Sequence, residues 1–281
     1  MNLRVVSWNL AYRTGDAAAR QGRLLSSLSP DFVLLQEVNL KSLPLLLAES
    51  GLNWTRNAVD LREPSPDDSP VRRRGVSVAG RGPEPVTSRL LLDLPLPERT
   101  LICEIPTRPD EVLIVASYHA PPGVNWHEKK PQQAVGFARS LAMVNGPALF
   151  GIDANTPKLD AIDFADTRTH WHTGDKKLKG APGDDLLVGP HHIHALEDTF
   201  RLWLADHPEQ LAQIRRDHPS GPLAVSHRTG RRTNHPGTDR RFDSIWVSKH
   251  FHVRNVQYLY ERAIAAGSDH AAVVADLTLN V

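Results

Sequence analysis

Apolar runs separated by proline, glycine and charge set the outline of this chain. Leu3 to Asn9 reads as a buried strand. Ala17 to Leu28 predicts a helix with Leu24, Leu25 and Leu28 on one face. Ser29-Pro30-Asp31 breaks it, and Phe32 to Glu37 predicts a second strand. Leu40 to Ser50 predicts a helix ended by Gly51. Thr55 to Ala58 and Gly75 to Ala79 predict strands around a Pro/Asp/Ser-rich loop, Glu63 to Pro70. Arg89 to Asp93, Arg99 to Ile105 and Glu111 to Tyr118 predict an antiparallel meander. His127 to Asn145 predicts a helix, and Ala148 to Ile152 a strand. The stretch 158–235 is less regular, with helices expected at Ala195 to Ala205 and Pro208 to Arg216 between long loops. Loops of that length are usually functional or mobile. Phe242 to Val247, Val253 to Tyr260 and Ala271 to Leu279 predict closing strands. There is no internal repeat and no linker between two cores. The expectation is one domain over 1–281, with a loop-rich insertion at about 158–235.

Composition narrows the class. A chain of 281 residues can bury a sizeable core. No apolar stretch reaches the ~18 residues that span a bilayer, so membrane insertion is not expected. The chain enters its first strand without a signal-peptide pattern. Cys103, the single cysteine, sits in an apolar run and reads as a buried thiol. Both features point to the cytoplasm, and a monomer is the simplest state. The formal net charge of +1 marks no polyanion binder by itself. The basic residues are clustered, however. Arg72-Arg73-Arg74 is one group and Lys176, Lys177 and Lys179 a second. Arg215, Arg216, Arg228, Arg231, Arg232, Arg240 and Arg241 face only Asp217 and Asp239. Each alone is ordinary loop charge; together they favour an anionic polymer as partner.

The chemistry lies at strand ends. Asn9, Glu37, His119, and Asp153 with Asn155 each close an apolar run. Asp243 opens one, and Asp269-His270 precedes the last. Together these read as one site assembled from both ends of the sequence. His191-His192-Ile193-His194 lacks the spacing of a helical zinc pair and reads as a polar loop. His127, His170, His172 and His235 read as surface or rim residues.

Five motifs in order carry a resemblance. They are Ser7-Trp8-Asn9-Leu10, Leu35-Gln36-Glu37-Val38, Asp153-Ala154-Asn155, Arg241-Phe242-Asp243-Ser244-Ile245 and Ser268-Asp269-His270. The sequence resembles the endonuclease/exonuclease/phosphatase superfamily, and the match runs nearly end to end. The resemblance implies an α/β (α+β) four-layer α/β/β/α sandwich: two mixed β-sheets face to face, with helices outside. It also implies a Mg²⁺- or Mn²⁺-dependent phosphoesterase. Glu37 would be the main metal ligand, since a carboxylate suits a hard cation. Asn9 and Asp269 resemble the other metal-shell residues. His270 with Asp243 resembles a base dyad, in which a neutral imidazole takes a proton from water. Asn155 could donate to a phosphoryl oxygen. Asp153 could orient the nucleophile, assist the leaving group, or hold a second metal. Ile152 stands where the family commonly has glycine. His119 could bind a phosphate oxygen or protonate the leaving group. Secreted deoxyribonucleases pair such a His with a Glu just before a central strand; here that stretch reads Arg72-Arg73-Arg74-Gly75, without a carboxylate. Tyr118, Arg228, Arg231 and Arg232 are substrate-contact candidates, with a core role as the alternative for Tyr118. The expected activity is hydrolysis of DNA or RNA. The alternatives are a phosphatase or phospholipase acting on inositol phosphates or sphingomyelin, and a non-catalytic nucleic-acid-binding protein.

Overall fold

The computed structural model describes residues 1–63, 74–108, 111–122, 126–169, 171–172, 178–179, 182–230 and 237–280. In chain order the first half runs β1 (Asn2–Asn9), α1 (Asp16–Leu28), β2 (Phe32–Asn39), α2 (Leu43–Ser50), β3 (Trp54–Asn57) and β4 (Arg74–Gly80). Then come β5 (Thr87–Arg89), β6 (Thr100–Arg108), β7 (Glu111–His119), α3 (Lys129–Ala142) and β8 (Ala148–Asp153). The next stretch holds β9 (Trp171–His172), β10 (Leu178–Lys179), α4 (Pro182–Val188), β11 (Leu196–Asp198), α5 (Thr199–Asp206) and α6 (Pro208–Asp217). The chain closes with β12 (His227–Thr229), β13 (Thr238–Arg240), β14 (Asp243–Ser248), β15 (Phe251–Leu259), α7 (Tyr260–Ala265) and β16 (Ala272–Leu279).

Two six-stranded sheets result, ordered β15-β16-β1-β2-β4-β3 and β11-β14-β8-β7-β6-β5. Both are mixed: β1 runs parallel to β2, and β7 parallel to β8. The sheets pack face to face because successive side chains alternate faces. Val5, Leu34, Val115, Leu149, Ile245 and Val273 share the core between them. The opposite parity, including Val6, Trp8, Val33 and Leu35, packs under α1, α2 and α7. On the second sheet Tyr118, Phe150, Ile152 and Trp246 pack with residues of α3 and α4. These are the four layers expected. Close approach of the sheets is local to Gly151, where an added Cβ would meet Ser7 Oγ at 2.5 Å. The glycine thus lies one position before Ile152, whose side chain is buried in the outer layer.

Three expectations fail here. The strand expected over Arg89 to Asp93 runs Thr87–Arg89 instead, with a turn at Leu92 and Asp93. The helix expected from Ala195 begins at Thr199 instead, because Leu196 to Asp198 pair with Ser248 to Trp246 of β14. Asp198 caps the helix, accepting from the backbone N–H of Phe200 at 2.9 Å. The stretch 158–235 also holds more structure than expected, including the helix α4. Among the described residues no helix is long and apolar enough to cross a membrane.

Candidate active site

At one end of the sandwich the inner-face rows change from apolar to polar. Along β1 the inward positions run Leu3, Val5, Ser7, Asn9; along β7, Leu113, Val115, Ser117, His119; along β8, Leu149, Gly151, Asp153. Asp243 opens β14 opposite Asp153 in register. Below this end a polar seam joins the sheets. Gln36 Nε2 donates to Ser117 Oγ at 3.1 Å, and Ser117 Oγ donates to the Leu35 carbonyl at 3.0 Å.

Glu37 reaches the seam by breaking the alternation. Continued strand geometry would put it on the outer face with Val33 and Leu35. The β2–β4 register shifts between Leu35 and Val38, and Glu37 adopts φ +50°. Val38 then returns to the outer face. A left-handed conformation costs a non-glycine residue roughly 1–2 kcal/mol. Asn155 adopts one too, at φ +48°. Such residues cluster where a side chain must be aimed.

Asn9 Nδ2 donates to Asp153 Oδ2 at 2.8 Å, and Asn9 Oδ1 accepts from the Ala11 N–H at 2.8 Å. The Asn155 backbone N–H donates to Asp153 Oδ1 at 2.9 Å, and its side-chain amide donates to the Ala120 carbonyl at 3.0 Å. His119 Nε2 lies 3.6 Å from Glu37 Oε1 and 3.7 Å from Asp153 Oδ2. It is buried and has no hydrogen-bond partner among the described residues. Arg99 Nη1 lies 3.3 Å from His119 Nδ1. A guanidinium only donates, so Nδ1 accepts and Nε2 carries the hydrogen. Burial, then Arg99, push the His119 pKa well below the ordinary value. His119 is therefore a neutral donor aimed between two carboxylates.

His270 Nδ1 lies 2.9 Å from Asp243 Oδ2, and Nε2 lies 4.0 Å from Asp153 Oδ2. Asp243 comes from the opposite sheet, not from a neighbouring strand, so the dyad bridges the seam. Burial alone lowers the His270 pKa, but Asp243 and Asp153 outweigh it and raise it to about 10. The shift favours the imidazolium, from which the expected neutral base forms by loss of a proton. Two close carboxylates are the reason.

Tyr118 must be reassigned. It alternates with His119 and points to the outer layer, where it is fully buried and stacked on Phe137 at 4.7 Å between centroids. No face is left for a substrate. Its hydroxyl has no hydrogen-bond partner among the described residues. Tyr118→Phe should leave kcat and KM unchanged and match or exceed the parent's stability, because an unmatched buried hydroxyl is removed. Tyr118→Ala should cost ~3–5 kcal/mol by analogy with other buried aromatics. Paired activity assays and urea melts check both. Arg228 pairs with Asp239 at 2.6 Å and lies over the Tyr260 ring. Arg231, Arg232, His170, His235, Arg72, Arg73, Lys176 and Lys177 fall outside the described residues. His194 is buried and its pKa is pushed down by burial to about 4, so it is a core residue.

Besides Arg99, sequence reasoning assigned no role to four further contributors. His227 stacks on His270 at 4.2 Å, with Nδ1 3.0 Å from the Asp269 carbonyl. Ser226 Oγ accepts from the Phe242 N–H at 2.8 Å, and its carbonyl accepts from the Ala271 N–H at 2.7 Å. It thereby ties β14 to the His270 segment. Ser268 Oγ donates to the Asn9 carbonyl at 2.6 Å and accepts from the His270 N–H at 3.0 Å. Lys130 is fully buried beneath the site, with Nζ 3.5 Å from Asp184. The signal for Lys130 was present: it shares one helix face with Ala134, Phe137 and Leu141.

The implied divalent cation fits this donor set. Burial first, then Asp153, raise the Glu37 carboxyl to about 7. Glu37, Asp153 and the partly used Asn9 carbonyl offer hard oxygens, with Asp269 exposed at the rim. Two His/carboxylate clusters of metal-ligand size lie among the described residues, His227-Asp269-His270 and Asp153-Asp243-His270. Both use His270, which is already held by Asp243. In the first, the rings lie only 24° from parallel, so their in-plane lone pairs do not converge well. Glu37 belongs to neither cluster, and the oxygen donors around it remain the better fit.

Paired mixed sheets, outer helices and an acid–imidazole seam define the deoxyribonuclease-I-like fold of the endonuclease/exonuclease/phosphatase superfamily, and this chain has it. The solved structures it resembles cover nearly its whole length. TDP2 of D. rerio, complexed with single-strand DNA product, matches with a TM-score of 0.64 at 15% identity over 99% of each chain. The human Nocturnin catalytic domain with bound sulfate anion gives 0.62 at 17%, over 99% of this chain and 95% of that one. An endonuclease/exonuclease/phosphatase from Bacteroides vulgatus gives 0.63 at 14%, over 100% of both. At such identities the likeness is one of fold. No protein-family model and no curated protein matches the sequence.

Proposed function

We propose that the chain is a divalent-metal-dependent phosphodiesterase that hydrolyses nucleic acid. The observation that carries this is the buried, unpartnered His119 Nε2–H between Glu37 and Asp153, facing the His270–Asp243 dyad. A buried donor without a partner is open to an acceptor from a ligand, and a phosphoryl oxygen fits there once a cation offsets the two carboxylates. Glu37, with Asn9, Asp153 and Asp269 nearby, would hold Mg²⁺ or Mn²⁺, which supplies positive charge to the phosphate oxygens. His119 binds a non-bridging oxygen as a neutral donor. Asp243 fixes the His270 ring, so that Nε2 faces the site and accepts the proton of the attacking water once it has lost its own. Asp153 keeps Asn9 and Asn155 in place, and Asn155 can turn its amide towards the phosphate. The DNA product in one structural neighbour and the sulfate in another support an anionic phosphoester ligand.

The test is a substrate panel: plasmid, single-stranded DNA, RNA, inositol polyphosphates and sphingomyelin, with Mg²⁺, Mn²⁺ or EDTA. Cleavage of a nucleic acid, blocked by EDTA, is the expected result. Turnover confined to inositol polyphosphates or sphingomyelin would replace the reading.

A salt titration checks the basic segment. Removing one cation that neutralises a phosphate flattens the log-affinity slope by about 0.7–0.9. Arg228 is already matched by Asp239, so Arg228→Gln should leave the slope unchanged. Adding Arg231→Gln and Arg232→Gln should flatten it. A triple variant with the parent's slope returns all three to ordinary loop charge.

A further inference from the structure

Beside the site lies a surface that the hydrolytic reading does not use. Arg99 stands just before β6 and sends its guanidinium under His119. Its Nη1 donates to His119 Nδ1 and to the Ala120 carbonyl, both at 3.3 Å. The indole of Trp126 lies against this guanidinium, 5.0 Å from the ring centroid. A cation over an aromatic face holds the ring in place. Trp126 stays half-buried, and with His127, Glu128 and Lys129 it walls an open cavity of about 650 Å³. By contrast Trp8, Trp54 and Trp246 are buried in the packed layers.

The shelf is fixed to the site from below. Lys130 donates to the Pro121 carbonyl at 3.1 Å and to the Ala154 carbonyl at 2.8 Å. These are the backbones just beyond His119 and Asp153. The start of α3 is therefore pinned to both strand ends. Trp126, whose carbonyl accepts from the Lys129 N–H at 2.9 Å, is pinned with it.

We infer that Trp126 is a stacking shelf for a nucleobase next to the scissile phosphate, with Arg99 and Lys130 as its positioning residues. The inference rests on the nucleic-acid reading and sharpens it. Every base presents a π-face, so such a shelf adds affinity without sequence preference. An inositol polyphosphate presents no π-face to it, and a choline cation, which an aromatic face otherwise holds, meets the Arg99 guanidinium already lying over this ring. Arg99 touches both His119 and Trp126, so the base it supports lies within a nucleotide's reach of the phosphate.

The experiment is equilibrium binding of two fluorescently labelled single strands, in EDTA and at low ionic strength. One is oligo-dT; the other is an abasic strand with the same number of phosphates. The parent, Trp126→Ala and Trp126→Phe are compared, with folding checked by circular dichroism. The parent should bind oligo-dT more tightly than the abasic strand. Trp126→Ala should weaken oligo-dT by roughly 10–100-fold and leave the abasic strand within about twofold. Trp126→Phe should keep most of the parent's preference. Equal loss on both strands, or no loss on either, would overturn the shelf while leaving the nucleic-acid reading intact. A parent that binds neither strand would overturn the nucleic-acid reading, and the shelf with it.

Discussion

His270→Ala should lower kcat by ~10²–10⁴-fold, the usual loss when a positioned general base is removed, and leave substrate binding largely in place. It also abolishes the rise of rate with pH. The sign follows from the site. Two carboxylates raise the His270 pKa to about 10, so the base form is scarce at neutral pH. Its fraction grows roughly tenfold per pH unit below the pKa. The parent's rate should therefore climb from pH 6 towards 9.5. A bound cation repels the imidazolium, so the inflection in the loaded enzyme lies below about 10. Asp243→Asn removes the carboxylate 2.9 Å from the ring and moves the inflection to lower pH. Its plateau falls too, because the ring loses the partner that fixes its tautomer. The measurement is a pH–rate profile of the three proteins at saturating Mg²⁺. A parental profile that neither variant alters would leave the dyad without a role in proton transfer.

Glu37→Gln should raise the Mg²⁺ concentration for half-maximal activity at least tenfold, since it removes the carboxylate best placed to hold the ion. It should also do something that a damaged fold would not. The folded-state pKa of Glu37 is about 7, above its value of 4.5 in an exposed chain. The folded protein thus binds more protons than the unfolded one between those values. Stability without metal falls as pH rises through that window, and the penalty is complete above about 7. It amounts to roughly 3 kcal/mol. In EDTA the variant should match the parent near pH 4.5 and melt higher at pH 8. Urea melts at the two pH values, beside Mg²⁺ titrations of activity, read both effects. An unchanged Mg²⁺ requirement would remove Glu37 from the metal site.

The layered fold was legible because most strands carry continuous apolar runs and their breaks carry proline or glycine. The polar strand ends were legible for the same reason: Asn9, His119, Asp153 and Asp243 interrupt otherwise apolar rows. Tyr118 was also within reach. Strict alternation puts it opposite His119, and period-two counting from Leu113 would have assigned it to the outer layer. Glu37 defeats the same counting, because its bulge reverses the parity and only backbone geometry shows it. The edge strand Leu196–Asp198 was hidden by its length; three residues carry too little pattern to stand out before a helix. His227 lay inside a segment dominated by arginine. Its place over His270 depends on a backbone bridge from Ser226 and His227 to the last strand, a long-range pairing that no local pattern encodes.

The seam has a consequence for how the protein acquires activity. Ser268 bonds to the Asn9 backbone across a sequence separation of 259 residues, and the dyad joins the two sheets. During synthesis the emerging chain can pair β1 with β2 and set Asn9 and Glu37 early. The proton-accepting half of the site waits until the final strand has docked. Such distant pairings are slow to close. Partly folded chains, and chains released before Ser268, lack the joined His270–Asp243 pair. On the proposed reading, hydrolytic competence coincides with completion of the fold.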